Sequence, residues 1–226
     1  VPDSPEIVPF RLLRFSDVEQ MRRSINFVAS MISRRSVRSF SPEPVPFSLV
    51  HNAVAVANSA PSGANKQPWK FVVVENPELK RRIRVAAERE EWKFYHQPEN
   101  EEWVQQVSAL GTTWHKPFLE NAPYLIVVFS EQYELRIEPD GSVTRHENYY
   151  VEESVGIAVG MLLCALHHSG LATLTHSAHP MDFVARELSR PENERPYLII
   201  PVGHPAEDAM VPKLHKKSLE EVMIRY

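Results

Sequence analysis

The sequence predicts an α+β fold: one central sheet with helices on both faces and no second domain. Three observations carry this. Segments of helical and of strand patterning alternate along the chain, without the regular βαβ rhythm of a parallel-sheet protein. The helical segment 152–168 is apolar almost all round, which makes it central. The chain has 226 residues at 43% hydrophobic content, enough for one sizeable domain with a full core.

Residues 1–16 contain proline and read as extended. Asp17 can cap a helix to about Ser33, with Val18, Met21, Ile25, Val28 and Met31 at helical spacing. Pro46 to Ser59 repeats the pattern, with Phe47, Val50, Val54 and Ala57 on one face. Trp69–Val74 reads as a short buried strand, and Pro77 starts a charged helix toward Tyr95. Residues 96–102 are polar and loop-like. Trp103 to Asn121 reads as mostly helical, bent by Gly111 and Pro117. Tyr124–Phe129 is a strand, and 132–146 a hairpin around Pro139-Asp140-Gly141. Two more strands, Leu171–Thr175 and Tyr197–Val202, flank a short helix from Met181 to Leu188, and Ser218 opens a last helix. Gly156 and Gly160 leave a groove on the central helix, which suits close packing within the chain or a seam between two copies equally. Nineteen prolines against seven glycines collect at element boundaries, as loop stiffeners and helix starters.

A net charge of −4 speaks against wholesale nucleic-acid binding. The single cysteine, Cys164, excludes an intrachain disulfide and gives no metal framework, which fits a reducing compartment. No metal site is expected. No signal-peptide pattern opens the chain, and the longest apolar run, Val155–Leu166, is too short to span a bilayer. The expectation is a cytoplasmic protein, or the soluble domain of a membrane-anchored one.

Four stretches carry chemistry. Arg34, Arg35, Ser36 and Arg38 put three guanidiniums and a hydroxyl in five residues, which suits a phosphate monoester. Lys216, next to Lys217, is a distant basic partner. Pro61-Ser62-Gly63-Ala64 is a turn that exposes backbone N–H groups, and Gly63 lets the main chain approach a planar ligand closely. Thr175-His176-Ser177 ends a predicted strand, with His179 just beyond. Glu91 and Tyr95 are four apart, hence on one helix face, and Lys116 follows on the next helical segment. A zwitterionic amino acid needs one anion and one cation placed opposite it, and Glu91 with Lys116 supplies them. Trp92 and Trp103 are candidates to cover a substrate. No Gly-x-Gly-x-x-Gly follows a strand, so a Rossmann site is not indicated.

The arginine run together with the Pro-Ser-Gly-Ala turn resembles the FMN-binding signature of the nitroreductase superfamily. Glu91, Tyr95 and Lys116 at their spacing resemble the active-site lid of the iodotyrosine deiodinase family within it. The resemblance covers about Ser24 to Met223. It implies a nitroreductase-like central mixed sheet flanked by helices, in a domain-swapped homodimer. Residues 1–23 would be an arm on a single domain, 24–226, with a lid at about 88–118. FMN would be held by Arg34, Arg35, Ser36, Arg38, Pro61, Ser62, Gly63, Thr175, His176, Ser177 and Lys216. Lys216 stands where animal members commonly have Arg.

The family resemblance also implies roles. Glu91 would meet the substrate's amino group, Lys116 its carboxylate, and Tyr95 would support both. Ala64 would donate its N–H to a phenolate oxygen. The Ser177 hydroxyl, where the family usually has Thr, would donate toward flavin N5 and favour one-electron over hydride chemistry. The implied activity is reductive dehalogenation of 3-iodotyrosine and 3,5-diiodotyrosine, with bromo- and chlorotyrosine, to tyrosine and halide. NAD(P)H or a partner reductase would supply electrons. The rival readings are an NAD(P)H-dependent nitroreductase or quinone reductase, and a non-catalytic flavin or halotyrosine-binding module.

Overall fold

The computed structural model describes residues 7–178 and 180–226. The chain divides into two compact units, 1–34 and 35–226.

The first unit carries one helix, α1 (Asp17–Ser33). Its cap is Ser16, not Asp17: the Ser16 hydroxyl accepts from the Glu19 N–H at 3.3 Å. Asp17 and Glu19 instead place acidic charge in the first turn, where it suits the helix dipole. Glu19 bonds both Arg22 and Arg23, which holds its pKa down at about 2. No residue of α1 is buried; Val18, Met21, Ile25 and Val28 are all more than half exposed.

Among the described residues, the second unit is built on six strands: β1 (Trp69–Val74), β2 (Tyr124–Glu131), β3 (Tyr133–Ile137), β4 (Val143–Glu147), β5 (Ala172–Thr173) and β6 (Glu194–Gly203). The main sheet has the order β1-β2-β6-β5, and β3 with β4 forms a separate hairpin. Its ladders are antiparallel; the parallel component is the bridge between Ser36 and Thr173.

The helices of this unit are α2 (Phe47–Asn58), α3 (Pro77–Tyr95), α4 (Glu101–Ser108), α5 (Phe118–Asn121), α6 (Val151–His168), α7 (Asp182–Glu187) and α8 (Leu219–Val222). Strand β2 is buried along nearly its whole length, and its side chains alternate between two cores. Tyr124, Ile126 and Val128 pack with Val50, Ala53 and Ala57 of α2 and with Leu162 of α6. Leu125, Val127 and Phe129 pack with Ile83 and Ala87 of α3, Leu119 of α5 and Val184 of α7. Each such aliphatic side chain contributes roughly 1.5–3 kcal/mol by leaving water.

Several elements differ from their sequence reading. Residues 96–102 are not one loop: Pro98–Asn100 forms a 3-10 turn, and α4 starts at Glu101. The predicted helix to Asn121 stops at Ser108 and resumes only as α5, because Gly111 turns left-handed at φ 71° and Pro117 stands just before α5. Lys116 therefore lies in a connecting segment, not on a helix. Strand β5 is two residues long rather than five. Leu174 donates to the carbonyl of Pro201, which has no N–H to return, and pairing resumes only at the His176–Ile199 bridge. Phe47 is half exposed, and Ala53 joins Val50 and Ala57 as the buried face of α2. The last helix is four residues, opened by a capping box at Ser218.

Among the described residues, no helix is long and apolar enough to cross a membrane, and no cluster of His, Cys, Asp or Glu is placed to hold a metal.

Candidate active site

The segment that follows α1 is laid along the β5 edge of the sheet. Ser36 bridges Thr173, and the Val37 N–H donates to the Thr173 carbonyl at 3.0 Å. Thr175, His176 and Ser177 continue from β5, so Ser36 and Val37 share one edge with the Ser177 segment. Arg35 donates to the carbonyl of Pro212, which ties the loop leading to Lys216 to the same run. Arg34 caps the C-terminus of α1 in the first unit. Arg38 is partly buried, and burial lowers its pKa; the influence acting against this is Tyr95, not a carboxylate. A guanidinium desolvated in this way is ready for an anion. Lys216 is exposed.

The Pro61–Ala64 turn is held elsewhere. Ser62 accepts from the Gln67 N–H at 2.9 Å, and Ala64 takes a left-handed conformation at φ 49°. The Gly63 N–H donates to the Ser154 hydroxyl at 3.2 Å. A Cβ on Gly63 would stand 2.8 Å from the Tyr149 carbonyl oxygen and 2.9 Å from the Tyr150 ring. The close approach at Gly63 in this chain is thus to the turn that opens α6.

Glu91, Tyr95 and Lys116 come together. Glu91 Oε2 lies 3.2 Å from Lys116 Nζ, and the Lys116 ammonium lies 5.4 Å from the centre of the Tyr95 ring. Burial pulls the Lys116 pKa down, and the Glu91 carboxylate opposes that shift. Burial pushes the Tyr95 phenol up, and Glu91 adds to it. His176, also buried, brings Nε2 to 3.9 Å from Glu91 Oε1 and sets its ring edge-on to Phe118. The Glu91 carboxylate is thus flanked by Lys116 and by His176, the neighbour of Ser177. Ser177 itself is exposed and borders a cleft of about 370 Å³ with Met181, Arg195 and Tyr197. His179 lies outside the described residues. Trp103 packs edge-on against Phe94 and Tyr95, whereas Trp92 stacks on His96 and is half exposed.

Sequence reasoning missed the supports of Lys116. The Thr113 carbonyl accepts from its Nζ, and Glu88 Oε1 accepts from its backbone N–H at 2.8 Å. Glu88 Oε2 in turn accepts from Arg84 at 2.6 Å, and Arg84 also bonds Glu120 of α5 at 2.6 Å. The signal was the placement of Glu88 three residues before Glu91, on the same face of α3.

The profile of the nitroreductase family matches residues 31–204. The chain is 50% identical over 222 residues to an iodotyrosine deiodinase of Haliscomenobacter hydrossis, covering 98% of each chain. It is 38% identical to iodotyrosine deiodinase 1 of Mus musculus, over 98% of this chain and 77% of the mouse protein. A crystal structure of oxidized iodotyrosine deiodinase bound to FMN and 3-iodo-L-tyrosine superposes with a TM-score of 0.72 at 36% identity, over 88% of this chain and 98% of that one. A Bacteroides fragilis nitroreductase with bound FMN shares the fold, with a TM-score of 0.60 at 19% identity over 85% of this chain and 95% of its own. Glu91, Tyr95 and Lys116 thus stand on a nitroreductase fold in a chain that aligns over nearly all of its own length with iodotyrosine deiodinases, and the chain belongs to the nitroreductase family and, within it, to the iodotyrosine deiodinases.

Proposed function

We propose that this chain, with FMN bound, removes iodide reductively from iodotyrosines. The carbon–iodine bond takes up two electrons and a proton; iodide leaves and tyrosine remains. One observation carries the reading: Glu91 and Lys116 form a buried pair of opposite charges beside Tyr95. Such a pair can trade its internal contact for the ammonium and carboxylate of an amino acid.

Ser36 on the β5 edge, with Arg35 and Arg38 beside it, offers donors that suit a phosphate. Arg34, Arg35, Ser36, Arg38 and Lys216 would hold the FMN phosphate; Pro61, Ser62, Gly63, Thr175 and His176 would border the flavin ring. When bound, FMN would supply the electrons, in one-electron steps. The Ser177 hydroxyl would donate toward flavin N5, and the Ala64 N–H would donate to the substrate's phenolate oxygen. An ortho halogen acidifies a phenol, so donors to the charged form select halotyrosine over tyrosine. Bromo- and chlorotyrosine meet the same condition. Closure of the lid at about 88–118 would exclude water around the ion pairs.

We assign a C2 homodimer, with residues 1–23 as an arm on the 24–226 domain. A Cβ on Gly160 would meet nothing within 4 Å outside its own helix, Ile157 beside it is half exposed, and α1 buries none of its apolar face. These surfaces suit a second copy, whose Ala64 turn would complete each site. The electron source is NAD(P)H or a partner reductase.

The test is a titration of the oxidised, FMN-loaded protein with 3-iodotyrosine, followed by flavin fluorescence, with tyrosine as control. Strong quenching by iodotyrosine and little by tyrosine is expected, followed by iodide release in anaerobic turnover. A protein that responds to neither, yet reduces nitroaromatics with NAD(P)H, would sink the reading.

A further inference from the structure

Helix α3 presents two carboxylates to one lysine. Glu91 meets the Lys116 ammonium at 3.2 Å, and Glu88, one turn earlier, accepts from the Lys116 backbone N–H at 2.8 Å. Lys116 belongs to no helix, so its main-chain position depends on such outside bonds. Glu88 is well placed to fix it. Its side chain is only 12% exposed, and Arg84 holds its other oxygen at 2.6 Å while also bonding Glu120 at the far side of the segment. Arg84 and Glu88 thus bracket the connecting segment between α3 and α5.

This step rests on the amino-acid clamp proposed above. A bound zwitterion takes Glu91 with its ammonium and Lys116 with its carboxylate. The direct Glu91–Lys116 contact is then given over to the ligand. The Glu88 bond does not compete with the ligand, because it is made to the main chain. It is the tie that keeps Lys116 on α3 in the loaded site. We infer that Glu88 is a positioning residue for substrate recognition: it sets the Lys116 ammonium opposite Glu91 at the spacing of an amino acid's two charges. A bland alternative is a helix-surface staple, which would matter to stability and not to ligand.

The test compares Glu88→Ala and Glu88→Gln with wild type, all FMN-loaded. The measurements are the Kd for 3-iodotyrosine by flavin fluorescence, KM and kcat for iodide release, and FMN content. Losing a charge-assisted bond to the lysine should weaken binding and raise KM roughly tenfold to a hundredfold. FMN content should hold and kcat should change little. Gln keeps an oxygen for the Lys116 N–H and should recover most of the affinity. A Glu88→Ala protein with wild-type Kd, or one equally impaired in KM and kcat with no rescue by Gln, overturns the inference. If Glu88→Ala does not fold, Glu88→Asp carries the test, since its shorter side chain cannot reach both Arg84 and the Lys116 N–H. At least threefold weaker binding is then expected, and unchanged binding overturns the inference. Wild type that ignores iodotyrosine would overturn the clamp itself, an outcome distinct from a responsive wild type with an indifferent Glu88→Ala.

Discussion

Glu91 Oε2 and Lys116 Nζ lie 3.2 Å apart, with side chains only 5% and 3% exposed. A buried pair of this kind adds little net stability, because desolvating both charges offsets their attraction, whereas removing one partner strands the other. A pair that adds so little to stability is the kind a ligand can use, as the proposed clamp requires. Lys116→Ala or Glu91→Leu alone should therefore destabilise the protein by roughly 3–5 kcal/mol. The double change Glu91→Leu with Lys116→Met should restore near wild-type stability and still abolish iodotyrosine binding. Thermal melts with and without ligand check both halves; a double variant that binds iodotyrosine would contradict the clamp.

The same pair predicts a pH dependence. Burial holds the folded-state pKa of Lys116 below the ordinary 10.5, despite Glu91. Between the folded and unfolded values the unfolded chain binds more protons, so stability rises with pH across that window. The cost of keeping Lys116 charged is present at neutral pH and fades as pH rises through the folded pKa. Relative to the Glu91→Leu, Lys116→Met double variant, wild type should gain stability as pH climbs toward 10. Denaturant melts at a series of pH values read this directly, and a difference that stays flat or falls would contradict it.

Gly63 offers a test independent of the lid. An alanine there would bring Cβ to 2.8 Å from the Tyr149 carbonyl, a backbone atom that cannot swing away. Overpacking of this sort costs roughly 1–3 kcal/mol. Gly63→Ala should lower the melting temperature even without FMN. A variant with an unchanged apo melt that merely loses FMN would move the constraint from Tyr149 to the cofactor.

The main elements were legible because patterning and punctuation agreed. The short continuous apolar run Tyr124–Phe129, the apolar run of α6 and the Pro77 start of α3 each follow from local rules. The juxtaposition of Glu91, Tyr95 and Lys116 was legible as well, because Glu91 and Tyr95 share a helix face and Lys116 has the complementary charge. What escaped depended on partners far away in sequence. The ladder beyond Thr173 breaks because Pro201 stands opposite Leu174, which no local pattern reports. The helix expected through Lys116 yields at Gly111, and Glu88 holds the freed segment from 28 residues away. Ser16 displaced Asp17 as a cap by a one-residue shift, the usual uncertainty of helix ends.

Ser177 is exposed at the cleft beyond β5, one residue from His176, whose imidazole reaches toward Glu91. If its hydroxyl steers bound flavin toward one-electron chemistry, Ser177→Ala should keep FMN and iodotyrosine binding and lose at least tenfold in iodide release, about 1.4 kcal/mol of barrier. Ser177→Thr should retain activity, since the hydroxyl is kept and the added methyl restricts its rotamer. Anaerobic reductive titration with ligand present separates the cases by whether the half-reduced flavin spectrum accumulates. Wild-type accumulation in Ser177→Ala would remove the residue from this role.

The exposed stripe of α1 predicts the assembly. Val18, Met21, Ile25 and Val28 follow helical spacing and are 52% to 81% exposed, a face that a monomer leaves in water. Fully burying one such side chain against a second copy contributes roughly 1.5–3 kcal/mol, and a carboxylate at its centre would forfeit that and add a desolvation cost. If the proposed dimer forms through this face and each site takes the Ala64 turn of the other copy, Ile25→Glu should shift the protein from dimer to monomer by light scattering and release FMN. Arg23→Ala, on the opposite side of the helix, should leave the dimer intact. A monomeric Ile25→Glu protein that still holds stoichiometric FMN would show that one chain completes the flavin site alone.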